Sequence, residues 1–136
     1  MKILGIEHVG IAVESFEKDA PFWQLLFKYS DNYSEEVIDQ KVNTNIFDTG
    51  KGKIELLEAI ATDSLIAKFI DKRGKGIHHI CLQVEDIVHA LIELESHGVK
   101  LIDKVPRVGA EGYLIAFIHP NSTGGVLIEL AEKTIV

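Results

Sequence analysis

Gly5-Ile6-Glu7-His8-Val9-Gly10-Ile11-Ala12-Val13-Glu14 lies over Gly76-Ile77-His78-His79-Ile80-Cys81-Leu82-Gln83-Val84-Glu85 at a constant offset of 76 − 5 = 71. Under it glycine meets glycine, isoleucine meets isoleucine, His8 meets His79, Val13 meets Val84 and Glu14 meets Glu85. A second match closes each half: Ile54-Glu55-Leu56 falls on Ile128-Glu129-Leu130 at 129 − 55 = 74, so three residues of loop length reconcile the two offsets. Such self-similarity marks two copies of one supersecondary unit. Module one covers about residues 1–71 and module two about 76–136, together one domain over residues 1–136, a length suited to a single core.

Each module reads as strand, helix, strand, strand, strand, an α+β class in which tandem βαβββ modules build a concave sheet. In module one a strand over Ile6 to Val13 leads to Ser15, a helix N-cap type, and then to a helix with Phe16, Ala20, Trp23, Leu26 and Phe27 on its apolar stripe. Pro21 should distort that helix early. Strands are expected near Glu36 to Asp39, Val42 to Asp48 and Lys53 to Ala59, the last two joined by a turn at Gly50-Lys51-Gly52. A short helix near Ser64 to Asp71 and the polar run Lys72-Arg73-Gly74-Lys75 then bridge to module two. There the pattern predicts a strand over Ile77 to Val84 and a helix from about Asp86 to His97 that stops at Gly98. Further strands are expected near Lys100 to Asp103, Tyr113 to His119 and Val126 to Ala131, with turns at Gly109 to Gly112 and Pro120 to Gly125.

Alternation along a strand puts His8 on one face with Gly10 and Ala12, while Val9, Ile11 and Val13 face the other way, toward a helix. His79 and Cys81 repeat the arrangement. Glu55 and Glu129 each stand between bulky aliphatics in strands that otherwise read as core, and a carboxylate there needs a partner. One strand histidine is usually a hydrogen-bonded core residue, and one strand glutamate usually faces solvent. The matched set reverses that reading. Two halves related by an approximate twofold would bring His8, Glu55, His79 and Glu129 together as two imidazoles and two carboxylates, a ligand set for one divalent first-row ion with positions left open for substrate. His78, His89 and His97 read as structural. His119, at a strand end before Pro120, keeps a modest functional claim. Cys81 reads as a small floor residue, and Lys72-Arg73-Gly74-Lys75 as a solvated linker that, with Lys104 and Arg107, is a candidate for holding an anionic substrate tail.

The formal charge of −7, from 14 Lys and Arg against 21 Asp and Glu, argues against a nucleic-acid or anionic-membrane surface. Small-molecule chemistry is left. The lone cysteine excludes an intramolecular disulfide and CxxC motifs, no apolar run reaches spanning length, and Met1 to Gly10 lacks a secretory pattern, so the expected location is cytoplasmic.

The paired modules and the histidine, glutamate, histidine, glutamate quartet resemble the vicinal oxygen chelate (glyoxalase) superfamily, which includes glyoxalase I, ring-cleaving dioxygenases, antibiotic-resistance proteins and methylmalonyl-CoA epimerases. Within it the epimerase family is nearest. Its likeness is carried by Glu7 to Val13, Lys53-Ile54-Glu55-Leu56-Leu57-Glu58, Gly76 to Cys81, Val108-Gly109-Ala110-Glu111-Gly112, and His119-Pro120 with Gly124-Gly125-Val126-Leu127-Ile128-Glu129-Leu130. The resemblance implies an isomerase acting on a CoA thioester, the quartet holding a divalent ion (Co²⁺ foremost, with Mn²⁺, Zn²⁺ or Mg²⁺ as alternatives), and a homodimer. It also implies proton exchange at C2 through an enolate, with Glu129 matching the ligand that doubles as a base. One departure stands out: a family member carries a second catalytic glutamate on the strand before Glu55, whereas Lys41-Val42-Asn43-Thr44-Asn45-Ile46-Phe47 holds no acid. Glu55 is the natural substitute. A glyoxalase I type lactoylglutathione lyase would use the same quartet, and a metal-free small-molecule binding protein would need none of it.

Overall fold

The computed structural model describes residues 1–134; the last two positions of module two lie outside them. The described residues form eight strands and three α-helices, a mixed α+β fold with the βαβββ order in each module. In module one these are β1 (Ile3–Ala12), α1 (Phe16–Leu26), β2 (Asp31–Val37), β3 (Val42–Asp48) and β4 (Lys53–Ala59), followed by α2 (Leu65–Arg73). Module two holds β5 (Gly76–Val84), α3 (Ile87–Ser96), β6 (Arg107–Val108), β7 (Leu114–Ile118) and β8 (Ile128–Glu132). None of the three helices is long and apolar enough to cross a membrane.

The chain packs as two compact units, His8–His78 and Met1–Glu7 with His79–Val136. In the first, strands run in the order β2-β3-β4-β1, with β1 and β4 parallel and the rest antiparallel. One face of this sheet packs on α1 through Ile11, Val13, Phe47, Ile54 and Leu56 against Phe16, Ala20, Trp23 and Phe27. On the other face Ala12, Val42 and Leu57 pack on Ile66, Phe69 and Ile70 of α2. In the second unit the order is β5-β8-β7-β6, with β5 and β8 parallel. Val84, Ala116, Ile118 and Leu130 there pack on Ile87, Ala90 and Leu91 of α3, while Cys81, Ile115, Phe117 and Ala131 cluster on the opposite face. The first seven residues join this unit through the Met1 ammonium, 2.5 Å from Glu93, and Lys133 Nζ, 3.1 Å from Glu7.

Both module helices start the same way. Ser15 accepts from the Lys18 amide at 3.2 Å and Asp86 from the His89 amide at 3.0 Å, each satisfying a donor that the helix leaves open. Each first turn is also tied to the last strand of its module: the Phe16 amide donates to Glu58 Oε2 at 2.7 Å, and the Ile87 amide to Glu132 Oε1 at 2.9 Å. Glu58 and Glu132 are themselves related by 132 − 58 = 74. The repeat thus includes a third pair of glutamates, whose work is structural.

Several elements differ from their expected places. β2 begins at Asp31, and the end of the expected strand, Ile38 and Asp39, lies in the 3₁₀ turn Ile38–Gln40, closed by Lys41 in the left-handed region at φ 53°. Asp-Asn-Tyr-Ser-Glu-Glu-Val is a polar stretch that pairing with β3 holds extended. Lys100 to Asp103 contributes one bridge, Leu101 to Ile118, and not a strand. Asp103 there uses its carboxylate, which accepts from the Phe117 amide at 2.8 Å, so a side chain takes a ladder bond and regular pairing waits until Arg107. α1 runs through Pro21, an exposed residue whose missing N–H leaves a carbonyl that water can serve, and Leu26 stands 58% exposed, off the apolar stripe. α2 extends through Arg73, so half of the expected linker is the last helical turn.

Candidate active site

Parallel pairing sets the geometry. In the first unit Gly10 lies opposite Glu55, and in the second Cys81 lies opposite Glu129, the same register in both copies since 81 − 10 = 71 and 129 − 55 = 74. A histidine two residues before Gly10 or Cys81 therefore projects from the same face as the glutamate across from it. His8 Nδ1 lies 3.0 Å from Glu55 Oε2, and His79 Nε2 lies 3.0 Å from Glu129 Oε1. All four residues are 3–7% exposed. The three extra residues of module two can also be placed. Ile46 pairs with Glu55 and Phe117 with Glu129, spans of 55 − 46 = 9 and 129 − 117 = 12, so the insertion lies in the β7–β8 connection with its 3₁₀ turn Pro120–Ser122.

Each pair offers one imidazole nitrogen and one carboxylate oxygen, a donor set for a divalent ion. Two ligand atoms about 2.1 Å from a common ion and at right angles to one another stand about 3.0 Å apart, so each pair has the spacing of adjacent ligands. The surroundings keep the donors dry and oriented. In the second unit the Phe117 ring meets the His79 ring edge-on at 5.6 Å, and Cys81 lies fully buried among Ile115, Phe117 and Ala131. In the first, Gly10, Ala12 and Ile46 share the face of His8 and Glu55.

The remaining sequence candidates have structural settings. His78 packs edge-on against Phe69 at 4.9 Å, His97 ends α3, and His119 Nδ1 accepts from the Asn121 amide at 3.1 Å. Of the cationic run, Lys72 and Arg73 lie in the last turn of α2 and Lys75 sits 2.9 Å from Asp19. That hydrogen bond is the main reason the Asp19 carboxyl titrates below, and the Lys75 ammonium above, its ordinary value. Lys104 stands 3.7 Å from Glu95 at the surface. Arg107 differs, its guanidinium 5.7 Å from the centre of the Phe117 ring and its Nε 3.3 Å from Asp103. Of the acids that could supply a second base, Asp48 Oδ1 is engaged by the Gly50 amide in the β3–β4 turn and Asp39 lies exposed in the 3₁₀ turn.

Two residues on the site face escaped the sequence reading. Glu35 of β2 is opposite Thr44, whose row also holds Leu57 and Ala12, so its half-buried side chain shares the face of Glu55. Lys53 pairs with His8 on one side and Asp48 on the other, and is 8% exposed. Lysine after a Gly-Lys-Gly turn reads as a solvated residue; only the register reveals its face.

Paired βαβββ modules, each with a buried histidine–glutamate pair, define the class of protein. Residues 7–117 match the Glyoxalase/Bleomycin resistance protein/Dioxygenase superfamily, and the chain belongs to it. It is 40% identical to the uncharacterized protein YqjC of Bacillus subtilis over 127 residues, 93% of this chain and 91% of that one. It is 36% identical to the mitochondrial methylmalonyl-CoA epimerase of Dictyostelium discoideum over 129 residues, 94% of this chain and 78% of that one. The crystal structure of methylmalonyl-CoA epimerase from Mycobacterium tuberculosis superposes with a TM-score of 0.91 at 33% identity, covering 98% of this chain and 90% of that one.

Proposed function

We propose that the chain is a divalent-metal-dependent isomerase that interconverts the C2 epimers of methylmalonyl-CoA. Support comes from likeness over nearly the whole chain to proteins named methylmalonyl-CoA epimerase, together with a buried imidazole–carboxylate pair in each module. His8, Glu55, His79 and Glu129 would hold one ion, Co²⁺ foremost, with Mn²⁺, Zn²⁺ or Mg²⁺ as alternatives. When bound, such an ion supplies Lewis-acid stabilisation of charge developing on the thioester oxygen.

The chain's own residues move the proton. Inversion at C2 requires removal from one face and delivery to the other, most simply by two acid/base groups. Glu129 takes the proton on one face and Glu55, its repeat mate, returns one on the other. Each carboxylate stands beside an apolar neighbour of its own unit, Ile46 next to Glu55 and Phe117 next to Glu129, which limits water at the base. The same reading has residues 1–136 act as one domain, in a cytoplasmic homodimer, on a free CoA thioester, with no part for nucleic acid or a membrane. A solution mass of twice 15.1 kDa checks the dimer.

The deciding experiment incubates metal-loaded protein with one epimer of methylmalonyl-CoA in D₂O. The expected result is deuterium at C2 together with the opposite epimer, both lost on chelation. Turnover of a glutathione hemithioacetal without exchange at C2 would identify a glyoxalase I type lyase instead. Neither activity, with ligand binding unaffected by chelation, would identify a metal-free binding protein.

A further inference from the structure

Phe117 is pinned on its backbone and on its ring at once. Its amide donates to Asp103 Oδ2 at 2.8 Å, and its carbonyl accepts from the Ile102 and Asp103 amides at 3.0 and 3.2 Å. Asp103 turns its other carboxylate oxygen to Arg107, whose Nε lies 3.3 Å away and whose guanidinium stands 5.7 Å from the centre of the Phe117 ring. One aspartate therefore fixes both the backbone of Phe117 and the cation that faces its ring. The ring in turn meets the His79 imidazole at 5.6 Å and 82°, and His79 Nε2 lies 3.0 Å from Glu129 Oε1. Asp103, Arg107, Phe117, His79 and Glu129 all belong to the same compact unit.

The repeat shows that this assembly is not demanded by the module. Phe117 pairs with Glu129 as Ile46 pairs with Glu55, so at an offset of 117 − 46 = 71 an aliphatic in module one holds the place of the ring. Ile46 is joined on its outer side by Tyr33 within a continuous β2, whereas module two gives up regular pairing beside Phe117 and places Asp103 there. Arg107, opposite Ile115, corresponds to Glu35, opposite Thr44, since 115 − 44 = 71, so the cation too is peculiar to module two. Module two thus departs from the shared plan along one line of residues, and that line ends on a ligand histidine. The torsion that turns an imidazole about its own axis is broad, so the surroundings have to choose the ring plane. Edge-on packing against an aromatic ring is one way to choose it. A guanidinium tethered over that ring holds the ring in turn, since turning away would lose the attraction to its face.

From this line we infer that Arg107 is a positioning residue for the metal ligand of module two: through the Phe117 ring it fixes the plane in which the His79 imidazole presents its nitrogen beside Glu129. This rests on the metal reading above and deepens it.

The test reads the histidine rings by NMR and Co²⁺ binding by titration calorimetry, on full-length wild type, Arg107→Gln, Arg107→Lys and Phe117→Leu. Ring signals of His8 and His79 in the metal-free protein are assigned from their loss in His8→Ala and His79→Ala. Arg107→Gln should move or broaden the His79 signals, leave those of His8 in place and weaken Co²⁺ binding by roughly tenfold, the size of a lost partner that orients a ligand. Phe117→Leu should do the same, because the route is through the ring. Arg107→Lys, which keeps a cation for the ring, should recover part of the affinity. Unmoved His79 signals with wild-type Co²⁺ affinity in Arg107→Gln would overturn the inference. So would His8 and His79 signals moving alike, which marks a loosened fold, or a response to Arg107→Gln that Phe117→Leu does not share. Failure here is separable from failure of the metal reading. Wild type that takes up Co²⁺, with Arg107→Gln indistinguishable from it, sinks only the positioning. Wild type without Co²⁺ uptake, but with His79 alone moved in Arg107→Gln, sinks only the metal.

Discussion

A buried imidazole and a buried carboxylate at 3.0 Å present one nitrogen and one oxygen donor side by side, and removing the imidazole takes a ligand atom away without touching the backbone ladder. His8→Ala or His79→Ala should abolish stoichiometric divalent metal while far-ultraviolet circular dichroism stays close to wild type. Full metal content in both variants, measured by elemental analysis after dialysis, would remove the quartet from consideration. The burial of these four residues and their facing within each sheet were legible in the sequence because each broke the expected chemistry of its strand and each had a mate at a fixed offset. Lys53 and Glu35 were not. Lysine and glutamate near strand ends are ordinary solvated residues, and their facing depends on a register that one sequence does not show.

Helices α1 and α3 depend on ties that sequence periodicity does not report. The carboxylates of Glu58 and Glu132 each accept an amide of the first helical turn, where a negative charge also complements the helix N-terminus. Glu58→Ala and Glu132→Ala should each cost about 1 kcal/mol and lower the melting temperature, with turnover largely kept. A variant as stable as wild type would show the tie to be incidental. A second tie joins α1 to the segment before β5 through Asp19 and Lys75. Since Lys75 holds the folded Asp19 carboxyl below its ordinary value of 3.8, the contribution is complete above that value and fades as pH falls through the folded one. For Lys75, raised above 10.5, the contribution is complete below that value and fades as pH rises past the folded one. The stability difference between wild type and Asp19→Asn should therefore persist at neutral pH and narrow as pH falls below the carboxylate range; a gap that does not narrow on acidification would refute the assignment. Elements with strong periodicity, β3, β4, β5 and α3, sit where their patterns place them. β2 and β6 do not, since a polar strand and a two-residue strand are specified by their neighbours' edges rather than by their own side chains.

Over the whole molecule, the fold was legible because the sequence states its plan twice, and the structure repeats even the register, Gly10 with Glu55 and Cys81 with Glu129. What the repeat cannot state is how two equivalent modules divide one reaction. If each glutamate serves one face of C2, a Glu→Gln change keeps an oxygen for the ion but removes the base. Metal should be largely retained while epimer interconversion falls by about 10² to 10⁴-fold. The two variants should then fail in complementary ways. Glu129→Gln should still exchange the C2 proton of one epimer with solvent deuterium, and Glu55→Gln that of the other, while neither interconverts them. A single shared base predicts instead that one variant loses exchange for both epimers and the other keeps everything. Should Glu55→Gln interconvert the epimers at the wild-type rate, Glu55 is a ligand alone. The second proton then has to come from another acid on the same face, and Glu35, half-buried and opposite Thr44, is placed there by the β2–β3 register, while Asp48 is held in its turn by the Gly50 amide. Loss of exchange in Glu35→Gln would then identify it, with Asp39→Asn as the exposed control.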